Sequence, residues 1–139
     1  MIASVATLSL TDQKKALVDQ MAEVARSLKG LASAKEMIAS GKQKLFPLLD
    51  QFEAITKKQA TDSKLSAILS EQNKLVDNVG GYVHEHLRFS ATVESARALV
   101  DDMLALLIGK KSFFGRFFGS GQTTLSELLE TENAIVRTG

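Results

Sequence analysis

The chain has 139 residues, 45% of them hydrophobic and 24% charged, with one proline and no cysteine. That length suits one domain able to bury a core without disulfides or a structural metal, and the missing thiols exclude cysteine-ligated zinc, iron–sulfur clusters and thiol catalysis. Seventeen basic against sixteen acidic side chains leave a net charge of +1, which excludes the broad positive field of a dedicated nucleic-acid binder.

Residues 1–10 read as an apolar N-terminal arm, in which Ile2, Val5, Leu8 and Leu10 need a surface to pack on. The arm lacks the basic start of a secretory signal. No stretch approaches the roughly 20 apolar residues of a membrane span, so the expectation is a soluble, cytoplasmic protein. Thr11 is placed to cap a first helix, and Leu17, Met21, Val24, Leu28, Leu31 and Ile38 follow alternating gaps of four and three up to Gly41. Lys35 fills the one vacant position of that seam, where a polar residue can select register or oligomeric state. Val18, Ala25, Ala32 and Ala39 widen the stripe, which suits a bundle helix with two neighbours.

A second helical stretch carries Leu45, Leu48, Phe52 and Ile55, then Leu65, Ile68, Leu75 and Val79, with polar Thr56 to Lys64 between. Its two halves are out of phase by about one residue, and the expectation is one helix with a stutter in preference to a break near Ala60 to Ser63. Gly80 and Gly81 then punctuate. Tyr82, His86, Phe89, Val93, Ala96, Val100, Met103 and Leu107 form a third seam ending at Gly109. Gln72 and Arg97 interrupt their helices with polar groups. Thr124 and Glu127 make a capping-box pair ahead of a shorter fourth helix containing Leu125, Leu128, Leu129, Ile135 and Val136. The predicted fold is all-α: one domain over residues 1–139, an elongated antiparallel, up-down four-helix bundle of three long helices plus a shorter C-terminal helix, joined to it by a Phe/Gly-rich connector at 110–122.

Up-down-up order would bring the end of helix one, the start of helix two and the end of helix three to one pole. Lys42, Lys44, Lys110, Lys111 and Arg116 would gather there with Phe46, Phe113, Phe114, Phe117 and Phe118. Such a cluster can simply offset helix dipoles and close the end of the core. It can also dock a protein partner or a second copy, or meet an anionic membrane surface. No nucleic-acid partner and no small-molecule substrate is suggested.

Signals for chemistry are weak. His84 and His86 lie two positions apart, about 200° around a helix, so they do not face one ion, and no metal or other cofactor is expected. His86 falls on the third seam as a core histidine, with His84 outward. The segment Gly115 to Thr124 places Gln122 where a phosphate loop needs lysine. Asp101 and Asp102, and Glu127, Glu130 and Glu132, read as solvated faces, and no nucleophile, base and orienting group come together for catalysis. The run His84-Glu85-His86-Leu87-Arg88-Phe89 resembles the H-box of sensor histidine kinases, in which His-Glu-Leu-Arg leads into Thr-Pro. It differs by the added His86 and by having no following proline. That resemblance implies a signalling bundle using His84 for phosphotransfer, as the alternative to a non-catalytic interaction or assembly module of structural, adaptor or chaperone type.

Overall fold

The computed structural model describes residues 9–109 and 123–138, and its regular structure there is entirely helical. Helix α1 spans Leu10–Leu28; α2 (Ala34–Ser40) continues through a π turn, Gly41–Leu45, into α3 (Phe46–Gln59). A 3-10 turn, Ser63–Leu65, opens α4 (Ser66–Gly81), which continues through a second π turn, Tyr82–His86, to a 3-10 turn at Leu87–Phe89. Helices α5 (Val93–Leu107) and α6 (Leu125–Thr138) complete the described chain.

Several boundaries differ from those the sequence predicts, and specific contacts, some local and some long-range, account for them. Ser9, not Thr11, caps α1, its hydroxyl accepting the Asp12 N–H at 3.0 Å. The first helix stops at Leu28 instead of running to Gly41. The carbonyls just beyond its end are bound by Arg97, whose guanidinium donates to Lys29 O at 2.9 Å and Leu31 O at 3.3 Å. Ser33 then caps a new helix by accepting from Glu36 N. These side chains satisfy the polar groups that a helix end leaves unpaired, so the break is stable.

Gly41 lies inside the run from residue 34 to 59. Pro47 lacks an N–H, and its ring would press on the carbonyl four residues back. Just before it the helix widens, and the Phe46 N–H donates to Gly41 O, five residues back. That π turn accommodates the proline without ending the helix. The break near Ala60 to Ser63 does occur: Asp62 accepts from Lys64 N at 3.0 Å and starts the next helical run. Gly80 and Gly81 do not punctuate; both are helical, and the chain turns instead at 90–92, where Thr92 and Ser95 cap α5 reciprocally. Gly109 ends the α5 segment with φ +84°, a left-handed conformation that suits glycine.

Helix α1 packs against α3, α5 and α6, while α4 packs against α3, α5 and α6. Phe52, Met21, Leu28, Met37, Val83, Leu87, Val100, Met103, Leu125 and Leu129 are among the side chains filling the common core. At about 1.5–3 kcal/mol for each large apolar side chain removed from water, this burial is the dominant stabilising term. The start of α1 lies beside Glu132 of α6. Its end lies beside Gly41 and the start of α5. Gly41 and Val83 bring the two π turns together: a Cβ on Gly41 would sit 3.1 Å from Val83 Cγ1.

Candidate functional site

Two constellations stand out, one inside the molecule and one on its surface. The interior one is built on Lys14 and Glu132, both fully buried. Lys14 occupies the α1 seam three residues before Leu17, and Glu132 occupies the α6 seam three residues before Ile135, so helical periodicity points both inward. The Lys14 ammonium donates to Glu132 Oε1 at 2.6 Å and to Gln72 Oε1 at 2.7 Å. It also lies 5.1 Å from the centre of the Phe52 ring, a cation–π distance. Glu132 further accepts from Gln59 Nε2 at 2.7 Å, Gln72 Nε2 at 2.8 Å and the Thr11 hydroxyl. Four helices therefore contribute to one polar knot.

Burial pushes the Glu132 carboxyl up, but the bonds from Lys14, Thr11, Gln59 and Gln72 outweigh it and hold the group below its ordinary value. For Lys14, burial is the larger effect and lowers the ammonium pKa, against the opposing pull of Glu132. Glu132 is thus not on a solvated face, as its position among Glu127 and Glu130 suggested. Lys14, Glu132, Gln72, Thr11 and Gln59 are all buried, so this knot offers a substrate no open face among the described residues.

The surface constellation lies where the two helical runs on either side of α3 and α4 carry their π turns. Lys35, Lys42, Lys44, His84, His86 and Arg88 are exposed on or near these runs, and Lys35, Lys42 and Arg88 line one groove. His84 stacks on half-buried Phe46 with ring centres 5.0 Å apart, and Tyr82 meets His86 at the same separation. His86 is therefore outside the core it was expected to enter. Val83 continues the spacing of Val76 and Val79, and the extra residue of the π turn brings Leu87 instead of His86 to the next inward position. Phe89, also expected on the core seam, is 79% exposed, with the Arg88 guanidinium 5.5 Å from its ring centre. An open groove of about 450 Å³ runs beside it, lined by Ala34, Ile38, Ala39 and Leu87 with Lys35, Lys42 and Arg88.

Of the residues expected to bind a partner, Lys42 lines this groove, Phe46 stacks on His84, and Lys44 is exposed on the same π turn as Lys42. Lys110, Lys111, Phe113, Phe114, Arg116, Phe117 and Phe118 lie outside the described residues, as does most of the apolar N-terminal arm. The flanks of the Phe-rich segment are nevertheless brought together, since a Cβ on Gly109 would lie 3.4 Å from Thr124 Cγ2. The capping box predicted for α6 is present, with Thr124 N–H donating to Glu127 Oε1 at 2.9 Å and Glu127 N–H to Thr124 Oγ1 at 3.0 Å.

Among the described residues no three histidine or acidic side chains converge as metal donors, and no helix is long and apolar enough to cross a membrane. A second groove, of about 640 Å³, lies between α3 and α4 and mixes Glu53 and Asp77 with Lys57 and Lys74. Burial, with help from Asp77 and Asp50, raises the Glu53 carboxyl there. No family model matches the chain, and neither a curated protein nor a solved structure is similar to it.

Proposed function

We propose that the protein is a non-catalytic helical interaction module that docks through its basic-aromatic surface. The observation that carries this reading is Phe89, a large apolar side chain left 79% exposed at the edge of a groove rimmed by cations. Leaving such a ring in water sacrifices burial that the fold could use, and an apolar patch with a charged rim is the usual character of a docking surface. Lys42, Lys44 and Phe46 extend the surface. Phe113, Phe114, Phe117 and Phe118, with Lys110, Lys111 and Arg116, supply a second element of the same chemistry, supported by their sequence and by the closeness of Gly109 to Thr124.

On architecture, we read the chain as an up-and-down bundle whose fourth column is α5 and α6 placed end to end. The pairing of Arg97 with residues 29 and 31, and of Glu132 with Thr11 and Lys14, supports that reading.

Light scattering at several concentrations, with circular dichroism, tests the docking role on the wild type and on Phe89→Ser. Unchanged helicity in the variant is expected, because so exposed a ring contributes little to the core. An oligomer that dissociates in the variant identifies self-assembly through this surface; a folded monomer in both cases assigns the surface to another chain. Loss of helicity in Phe89→Ser overturns the reading, since the ring would then belong to the fold. Serine at Phe113, Phe114, Phe117 and Phe118 extends the same comparison to the connector.

A further inference from the structure

The groove beside Phe89 has features that narrow its occupant. Among the described residues its lining carries Lys35, Lys42 and Arg88 and no carboxylate. Among the described residues none of these three cations forms a salt bridge, whereas Lys14, Lys29, Arg26 and Lys74 all do. The floor between them is apolar and low, made by Ala34, Ala39, Ile38 and buried Leu87. Alanines at such positions let another backbone approach closely. Lys35 and Lys42 are seven residues apart on one helical run, about 10 Å along its axis.

We infer that this groove seats an acidic amphipathic helix of a partner protein, with carboxylates two turns apart opposite Lys35 and Lys42 and a further acidic group near Arg88. This rests on the docking role proposed above and supplies the partner's chemistry. A helix presents side chains at i, i+3, i+4 and i+7 on one face, so acidic groups at i and i+7 bracket apolar groups that meet the low floor. Phe89 follows groove-lining Arg88, whose guanidinium lies 5.5 Å from its ring centre, so an exposed aromatic ring is available next to the seat as an anchor. A second copy joined by a two-fold axis through this groove would set these cations against their own counterparts, and like charges facing across an interface oppose association. A bilayer is a poor match for a concave seat, because peripheral binding buries a convex apolar face.

The probe is a fluorescein-labelled alanine-based helical peptide with glutamates at i and i+7 and leucines at i+3 and i+4, titrated with the full chain and followed by anisotropy. Saturable binding that weakens as salt rises is expected. Lys35→Glu/Lys42→Glu should lose at least about tenfold in affinity, as reversal of close interfacial charges does. It should regain affinity for a peptide carrying lysines in place of the glutamates. Circular dichroism of the variant confirms that both exposed substitutions leave the fold intact. No saturable binding of the glutamate peptide overturns the inference, as does equal affinity for a peptide with its glutamates at i and i+5. Stronger binding to phosphatidylserine-containing vesicles than to the peptide also overturns it in favour of a lipid surface. If the peptide fails while Phe89→Ser still dissociates an oligomer, the docking role stands and only the acidic-helix assignment falls.

Discussion

Lys14 is a charged residue in a place where hydrophobic side chains belong, and its partner comes from the far end of the chain. Its ammonium and the Glu132 carboxylate are both fully enclosed, with Gln59, Gln72 and Thr11 completing the bonds. Taking two charges out of water costs several kcal/mol each, and close pairing with further hydrogen bonds offsets that loss. Lys14→Met alone, or Glu132→Leu alone, should therefore cost about 3–5 kcal/mol by leaving an unpaired buried charge. The double variant Lys14→Met/Glu132→Leu should be more stable than either single one, which a urea-denaturation double-mutant cycle measures.

The pair also sets an acid limit. Glu132 is held below its ordinary value of 4.5, so its contribution is complete above that pH and is lost as the pH falls through the lower folded value. The urea midpoint of the wild type should drop over that window, and the drop should be smaller in Glu132→Gln. The signal for this pair was present in the sequence. Lys14 and Glu132 both continue a hydrophobic seam, but a seam position filled by a charge is equally consistent with a side chain reaching water. Only the meeting of α1 with α6 distinguishes the two.

At the scale of elements, the paired π turns determine which side chains are inside. Val76, Val79 and Val83 keep the α-helical spacing of three and four, after which an unbroken helix would turn His86 inward; the extra residue of the π turn puts Leu87 there and leaves His86 and Phe89 outside. Gly41 is what lets the two turns approach, since a Cβ there would lie 3.1 and 3.3 Å from the two γ-carbons of Val83. Alanine is intrinsically better than glycine within a helix by about 1 kcal/mol, but a Cβ here would require Val83, which is β-branched and fully buried, to shift. Gly41→Ala should therefore destabilise the protein by roughly 1–3 kcal/mol through overpacking. In a Val83→Ala background the same substitution should become stabilising. A reversal of sign between the two backgrounds, read from thermal unfolding, is the outcome that supports this contact; the same sign in both would rule it out.

Helix boundaries were legible where the chain carries its own stop or start. Thr124 with Glu127, and Gly109, behave as their local chemistry dictates. They were not legible at Leu28, where Arg97, 66 positions or more away in sequence from the carbonyls it caps, makes the ending possible.

Across the whole molecule, a net charge of +1 conceals an uneven distribution. The groove beside Phe89 carries three cations without a carboxylate in its lining, while the groove between α3 and α4 mixes both signs. The light-scattering mass belongs to this scale: a monomer at low ionic strength is expected if the basic groove is reserved for an acidic partner, because two-fold pairing through it is repulsive until salt screens the charges. The sequence alone determined that the regular structure of the described residues is helical, since apolar residues recur at a helical period. It also singled out cations and aromatic rings as the candidate material of the docking surface proposed here. The tertiary structure decided which of them share a surface. Lys35 and Lys42 are joined by Arg88 and Phe89 only because the run from residue 34 and the run ending at residue 89 lie side by side, an arrangement fixed by long-range packing. The conversion of Glu132 from an expected surface charge into an anchor has the same origin: burial is a property of neighbouring helices, and a single helix's periodicity does not specify them.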